Sequence, residues 1–364
     1  MSTPQNICFF NTTPFWGGGE KWHFEAAENM SKTANKTFFV CDGKGELAKK
    51  LAEIDVVQHP ITASNLSFLN PKKINGLIQF YKENNIQTVI FNNPKDLKLG
   101  GRAAKKAGVK NIVYRRGIAV EVKKSRLNTH LFGSVVTHFI FNSSATKELL
   151  AKHYKEIVTT KKTAIIYNAI EFPDDCHTEP VEVQNSPPTP QIIIGNAGRL
   201  VAQKAQHFLL DIAEHLKIKG FNFKIVVAGD GPLYGALKSQ INERQLSNHI
   251  ELLGFVEDMK SFMNGIDVFV STATWEGFGF VLAEAMVAKK PVLAFNMSSN
   301  PELINDGDNG YLIPPKDVPI FTHKIGWLIN NPNLRKRMGE NAYVFAKNNF
   351  EKEKQFQKLL DFIA

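Results

Sequence analysis

Short apolar runs recur along this chain with helical segments between them, and that alternation limits the fold more than any other feature. In the first half the runs fall at 6–11, 37–42, 56–60, 88–92, 111–114, 138–142 and 163–167. Segments such as 71–84, 100–107 and 145–153 between them read as helices. A second series has runs at 191–194, 224–228, 250–253, 267–271, 291–295 and 311–313. Its helical segments are 207–217, 280–288, 318–329, 332–348 and 351–363. Strands that are apolar throughout and alternate with helices form a parallel sheet covered on both faces. The expected class is α/β, with two doubly wound domains.

Residues 171–190 separate the two series. They hold five prolines, at 173, 180, 187, 188 and 190, several acids and no apolar periodicity. That composition predicts a linker. The domains are then 1–170 and 191–349, and 364 residues are enough for both. Asp174 and Asp175 read as solvated linker residues rather than a metal pair. No apolar run approaches a membrane span, and polar residues 1–6 lead straight into a strand, so no signal peptide is expected. The three cysteines, Cys8, Cys41 and Cys176, are far apart; Cys8 and Cys41 read as small core residues. A cytoplasmic setting and no metal site follow from this reading.

The net charge of +9 is uneven. Residues 1–170 contain 25 Lys and Arg against 12 Asp and Glu, or +13, which leaves −4 for residues 171–364. Lys123-Lys124-Ser125-Arg126 and Arg115-Arg116 are the densest basic clusters. Such a half suits an anionic partner, whether a phosphate-bearing acceptor, an acidic membrane surface or nucleic acid, although most single lysines read as a solubilising face. No zinc-finger spacing or aromatic-interleaved basic motif points to nucleic acid.

Three stretches carry candidate chemistry. The run 267–271 is followed by Thr274-Trp275-Glu276-Gly277-Phe278-Gly279 and a helix. Glu276 therefore sits where ligands bind in open α/β sheets, on a loop at the C-terminal end of a strand. Gly277 and Gly279 let backbone approach a ligand, and the helix start suits phosphate. Glu284, eight residues on, is placed to hydrogen-bond a ribose. In the second stretch, Gly198-Arg199-Leu200 leaves the run 191–194, and Lys204 precedes a helix. Arg199 offers a planar fork of donors and Lys204 a mobile charge, a pair suited to a diphosphate. The third is Gly17-Gly18-Gly19, between a strand and a helix expected to begin near Lys21. This is the layout of a phosphate-approaching loop, without the last glycine of a dinucleotide fingerprint.

Gly198-Arg199-Leu200 with Lys204, the turn Gly229-Asp230-Gly231-Pro232, and Glu276-Gly277-Phe278-Gly279 with Glu284 together resemble the retaining GT-B glycosyltransferases of family 4, the glycosyl transferases group 1. The resemblance is most specific in the second half. It implies two Rossmann-like domains facing each other across a cleft, with a nucleotide-diphosphate sugar held mainly by the second. It implies transfer with retention and no obligatory metal or other cofactor. By position, Arg199 and Lys204 would contact the diphosphate, and Glu276 the donor-sugar hydroxyls. The amides of Phe278 and Gly279, beside Gly277, would meet sugar or phosphate. Glu284 would bind the ribose, and backbone near Phe255 would face the base. Gly18 and Gly19 would approach the donor phosphate or the acceptor. The last segment, about 350–364, would pack back on the first domain.

One departure stands out. Many members of that family carry a histidine after a first-domain strand, where this chain has Val113-Tyr114-Arg115-Arg116-Gly117. Arg115 and Arg116 are then acceptor-side candidates, with His23 as an alternative, although a histidine in that helix reads more readily as a surface or packed residue. The resulting expectation is a peripheral cytoplasmic transferase. It would move a sugar to a glycan or lipid-linked glycan in cell-envelope polysaccharide or lipopolysaccharide synthesis. The competing expectations are a nucleotide-sugar epimerase of the same fold and a catalytically silent sugar-nucleotide-binding subunit.

Overall fold

The computed structural model describes residues 4–172 and 191–364. The Pro-rich stretch 173–190, with Asp174, Asp175 and Cys176, lies outside the described residues. The chain divides into two compact units, Met1–Ala169 with Glu353–Ala364, and Ile170–Lys352.

The first unit is built on seven parallel strands: β1 (Asn6–Asn11), β2 (Lys36–Cys41), β3 (Val57–Pro60), β4 (Thr88–Phe91), β5 (Asn111–Arg116), β6 (His138–Phe141) and β7 (Lys162–Ile165). Their order is β3-β2-β1-β4-β5-β6-β7. The strands are apolar because helices cover both faces, and Phe9, Phe10, Phe39, Phe91 and Phe139 are wholly buried. Cys8 and Cys41 are buried free thiols within this core. On one face lie Trp22, Ala26 and Met30 of the helix Gly18–Ser31, together with Leu359, Phe362 and Ile363 of the helix Lys352–Ile363. Asn111 Nδ2 donates to the Ile363 carbonyl at 3.2 Å, which fixes that last helix on the sheet. On the other face Gly100 lies within a π-helical turn, Leu97–Gly101, against the sheet. A Cβ there would come within 2.6 Å of the Phe91 ring, so only glycine allows the approach.

The second unit has six parallel strands: β8 (Ile192–Ala197), β9 (Phe223–Ala228), β10 (Ile250–Gly254), β11 (Val268–Ser271), β12 (Val292–Phe295) and β13 (Gly310–Ile313). Their order is β10-β9-β8-β11-β12-β13. Phe172, which the sequence places in a linker, packs edge-on against Tyr343 within this unit, with ring centroids 5.6 Å apart. In each sheet the order reverses between its first and fourth strands, β1 and β4, then β8 and β11. Such a reversal opens a crevice at the carboxyl ends of the two strands.

Two local readings are corrected. The first helix starts at Gly18, not near Lys21, because the Lys21 amide already donates to the Gly17 carbonyl at 2.9 Å. Strand β8 runs on to Ala197, where polar Asn196 is buried and donates to the Val270 carbonyl at 2.8 Å. Ser143 caps the helix Ser144–Thr160, accepting from the Thr146 amide at 3.1 Å.

Candidate active site

The crevice between β8 and β11 is built by interlocked turns. Beyond β8 the chain passes through Gly198, at φ +144°. Its neighbour across the sheet edge is Gly229, at φ +147°, where a Cβ would overlap the Gly198 carbonyl oxygen. A Cβ on Gly231 would come within 2.5 Å of the Leu200 carbonyl oxygen, and the Leu200 amide donates to the Asp230 carbonyl at 2.9 Å. These glycines let two loops stack backbone on backbone, which any side chain would prevent.

The turn Ala202–Lys204 then meets the loop after β11. The Thr274 amide donates to the Gln203 carbonyl at 2.9 Å, Gln203 Nε2 to the Trp275 carbonyl at 2.8 Å, and Thr272 Oγ1 to the Lys204 carbonyl at 2.9 Å. The result is an ion pair between residues 72 positions apart: Lys204 Nζ donates to Glu276 Oε1. Both side chains are mostly shielded, at 19% and 13% exposure, so their charges act at lower dielectric than a surface pair. The Glu276 backbone is held from behind. Its amide donates to Ser298 Oγ at 3.2 Å, and its carbonyl accepts from the same hydroxyl at 2.6 Å and from Ser299 Oγ at 3.3 Å. Sequence reading missed both serines. Their part depends on the left-handed backbone of Ser298, φ +53°, for which the sequence gives no signal.

The other second-unit candidates fall around this pair. Arg199 is exposed on the loop after β8, and its side chain makes no hydrogen bond or ion pair among the described residues. Gly279, at φ +92°, precedes the helix Phe280–Val287, on which Glu284 is half-buried. Gly277 is half-buried in the same loop. The Phe278 ring is buried against Phe350, with centroids 5.1 Å apart, so only its backbone can face a ligand. Phe255 stands 81% exposed beyond β10. Among the described residues no group of three or more His, Cys, Asp or Glu side chains is arranged to hold a metal ion.

In the first unit three acceptor-side candidates are corrected. His23 is wholly buried among the rings of Phe9, Trp22 and Phe39. Burial, and then the charge of Arg115, holds its pKa well below the usual imidazole value, so it is a neutral core residue. Arg115 is also buried, with its guanidinium 4.2 Å from the Trp22 ring centre and bonded to Asn92 and Asn168. Arg116 is buried and donates to the Val120 carbonyl. None of the three presents its side chain to an acceptor. Gly18 and Gly19 occupy the first turn of their helix, and a Cβ on Gly19 would overlap the Asn92 side chain. Asp96 lies beside this edge, buried and bonded to the Thr12 amide at 3.0 Å and the Thr12 hydroxyl at 2.5 Å. Its burial outweighs those bonds and raises its pKa to about 6.

With the geometry in place, comparison with known proteins is informative. The sequence is 38% identical over 152 residues to an uncharacterised glycosyltransferase of Methanocaldococcus jannaschii, covering 41% of this chain and 42% of the relative. It is 29% identical over 184 residues to the poly(ribitol-phosphate) alpha-N-acetylglucosaminyltransferase of Staphylococcus aureus, covering 50% of this chain and 37% of that one. The matches thus span less than half the length of these curated relatives. The crystal structure of Anabaena Alr3699/HepE in complex with UDP superposes with a TM-score of 0.80 at 22% identity, covering 98% of each chain. The fold is GT-B. Residues 178–345 match the family described as glycosyl transferases group 1. That span contains the whole Lys204–Glu276 crevice.

Proposed function

We propose that this chain is a retaining glycosyltransferase that takes its sugar from a nucleotide-diphosphate sugar. The observation that carries the reading is the shielded Lys204–Glu276 pair at the β8/β11 reversal, with Arg199 and the start of the helix Phe280–Val287 beside it. A departing nucleoside diphosphate gains negative charge as the bond from the anomeric carbon to the phosphate oxygen breaks. Lys204, Arg199 and the helix start meet that charge without a metal ion. Glu276, pinned by Ser298 and Ser299, orients the sugar hydroxyls, and Glu284 accepts from the ribose. The acceptor oxygen bonds to the anomeric carbon on the face the leaving group vacates. The acceptor proton passes to the departing diphosphate oxygen, so configuration is kept.

The acceptor in this reading is a glycan or lipid-linked glycan of the cell envelope, reached on the cytoplasmic face of the membrane. The first unit supports that part. The connections after β1, β3 and β5 all leave one end of its sheet, and they expose Phe15, Leu66, Leu69, Ile118 and Val120. Lys123, Lys124 and Arg126 follow directly on the β5 connection. Apolar side chains beside cations suit an anionic lipid surface. Replacing Lys123, Lys124 and Arg126 together by Ser should abolish most co-sedimentation with vesicles rich in phosphatidylglycerol. Binding unaffected by that change, or by 0.5 M salt, would remove the membrane part of the reading.

Incubation with a panel of UDP-, GDP- and ADP-sugars and a membrane-lipid extract tests the central reading. Release of one nucleoside diphosphate in the presence of EDTA is expected, with an α-linked product from an α-linked donor. An inverted product, or turnover that stops with EDTA, would contradict it.

A further inference from the structure

A buried arginine ties together the sheet end of the first unit. Arg115 is 1% exposed at the carboxyl end of β5. Its Nη1 donates to Asn92 Oδ1 at 2.9 Å, and its Nη2 to Asn168 Oδ1 at 2.5 Å. Its flat face lies over Trp22 of the first helix. Glu20 and Glu25 act on it through space, yet no carboxylate comes within 4 Å among the described residues, and its Nε has no partner. Burial lowers its pKa to about 9. A buried cation without an ion pair is costly to a fold, and an apolar chain of similar length would cover Trp22 at less cost.

An apolar chain could not hold two amide oxygens at once. With its Oδ1 accepting from Arg115, Asn92 turns its Nδ2 toward Gly19, which sits so close that a Cβ would overlap that nitrogen. Asn168 is the last residue but one before the chain passes into the second unit. We propose that Arg115 is a positioning residue for the transfer reaction: its planar fork fixes Asn92 and Asn168 together, and so sets the Gly18–Gly19 turn and the Asn92 Nδ2 for the acceptor. Only the kinetic part rests on the function proposed above; the placement of the turn is a property of the fold.

The test uses the full chain with Arg115→Lys and Arg115→Met. Lysine keeps the charge but cannot make both bonds, and methionine keeps the contact with Trp22 alone. Amide hydrogen exchange in both variants should speed at least tenfold at residues 19–22 and 167–169, with the strands of the same sheet unchanged. The rise in melting temperature with the nucleoside diphosphate that the sugar panel identifies, which reports the second unit, should equal that of the wild type. Release of that diphosphate from its sugar should fall by about tenfold or more in kcat at an unchanged donor KM, since misplacement by an ångström is worth up to about 10²-fold. Wild-type exchange at those two segments in Arg115→Lys, acceleration spread evenly over the unit, or wild-type kcat would each overturn the proposal. A wild-type protein that neither binds nor releases any of UDP, GDP and ADP would count against the proposed function, while the exchange result would still decide the placement of the turn.

Discussion

Lys204→Ala is expected to lower kcat/KM for the nucleotide-sugar donor by about 10²–10³-fold, the range for removing one preorganised donor to a developing negative charge. Glu276→Ala should cost a comparable factor by a different route. It frees the sugar hydroxyls and leaves Lys204 without its counter-charge in a site where both side chains are mostly shielded. Because the two groups pair directly, the double variant should lose much less than the product of the two single losses. Ser298→Ala should follow Glu276 in direction but more weakly, since Ser299 still donates to the Glu276 carbonyl. Steady-state kinetics on the four proteins decides. Wild-type rates in folded Lys204→Ala and Glu276→Ala would show that the crevice is not the site of reaction.

Gly229→Ala should have the largest effect on stability. The residue is at φ +147°, and its Cβ would overlap the Gly198 carbonyl oxygen, backbone against backbone, with no flexible side chain to yield. Left-handed strain and overpacking together cost about 3 kcal/mol or more. For a unit of this size that is a fall of roughly 6–12 °C in its melting temperature. Gly307→Ala is the matched control: φ is +80°, but nothing lies within 4 Å of the added carbon, so only strain of about 1–2 kcal/mol is expected. Gly229→Ala should also weaken nucleotide binding, because the displaced Gly198 backbone carries Arg199 and Lys204. Equal melting temperatures for the two variants would show that the loops after β8 and β9 are not closely stacked.

The parallel sheets were legible because their strands are buried on both faces, so apolar runs such as 38–41 and 268–270 have no polar alternation to confuse them. The second-unit crevice was legible for a different reason. Arg199, Lys204 and Glu276 each read singly as a surface ion-pair residue, but together on glycine-flanked loops after strands of one domain they point to a diphosphate. Their mutual pairing was not legible, since nothing local to Lys204 announces a carboxylate 72 residues away. The start of the first helix was misread because three glycines have poor helix propensity. Tertiary contact overrides it, with Gly19 seated against Asn92. Arg115 and Arg116 read as rim side chains because arginine is rarely buried. Trp22, Asn92 and Asn168, distant in sequence, supply the stacking face and the acceptors that make burial of Arg115 possible. His23 reads in sequence as a surface or packed histidine as well as an acceptor-side candidate, and its cage of Phe9, Trp22 and Phe39, assembled only by the fold, decides for packing.

The most direct test of the second-unit site is a calorimetric titration of UDP, GDP, ADP and CDP, in EDTA, into the wild type and Lys204→Ala. The expected result is one nucleoside diphosphate that binds the wild type with 1:1 stoichiometry and binds Lys204→Ala at least about tenfold more weakly, the loss of roughly one charge-assisted hydrogen bond. Binding of none of the four to the folded wild type, or equal binding to both proteins, would contradict a diphosphate site at Lys204 and Glu276.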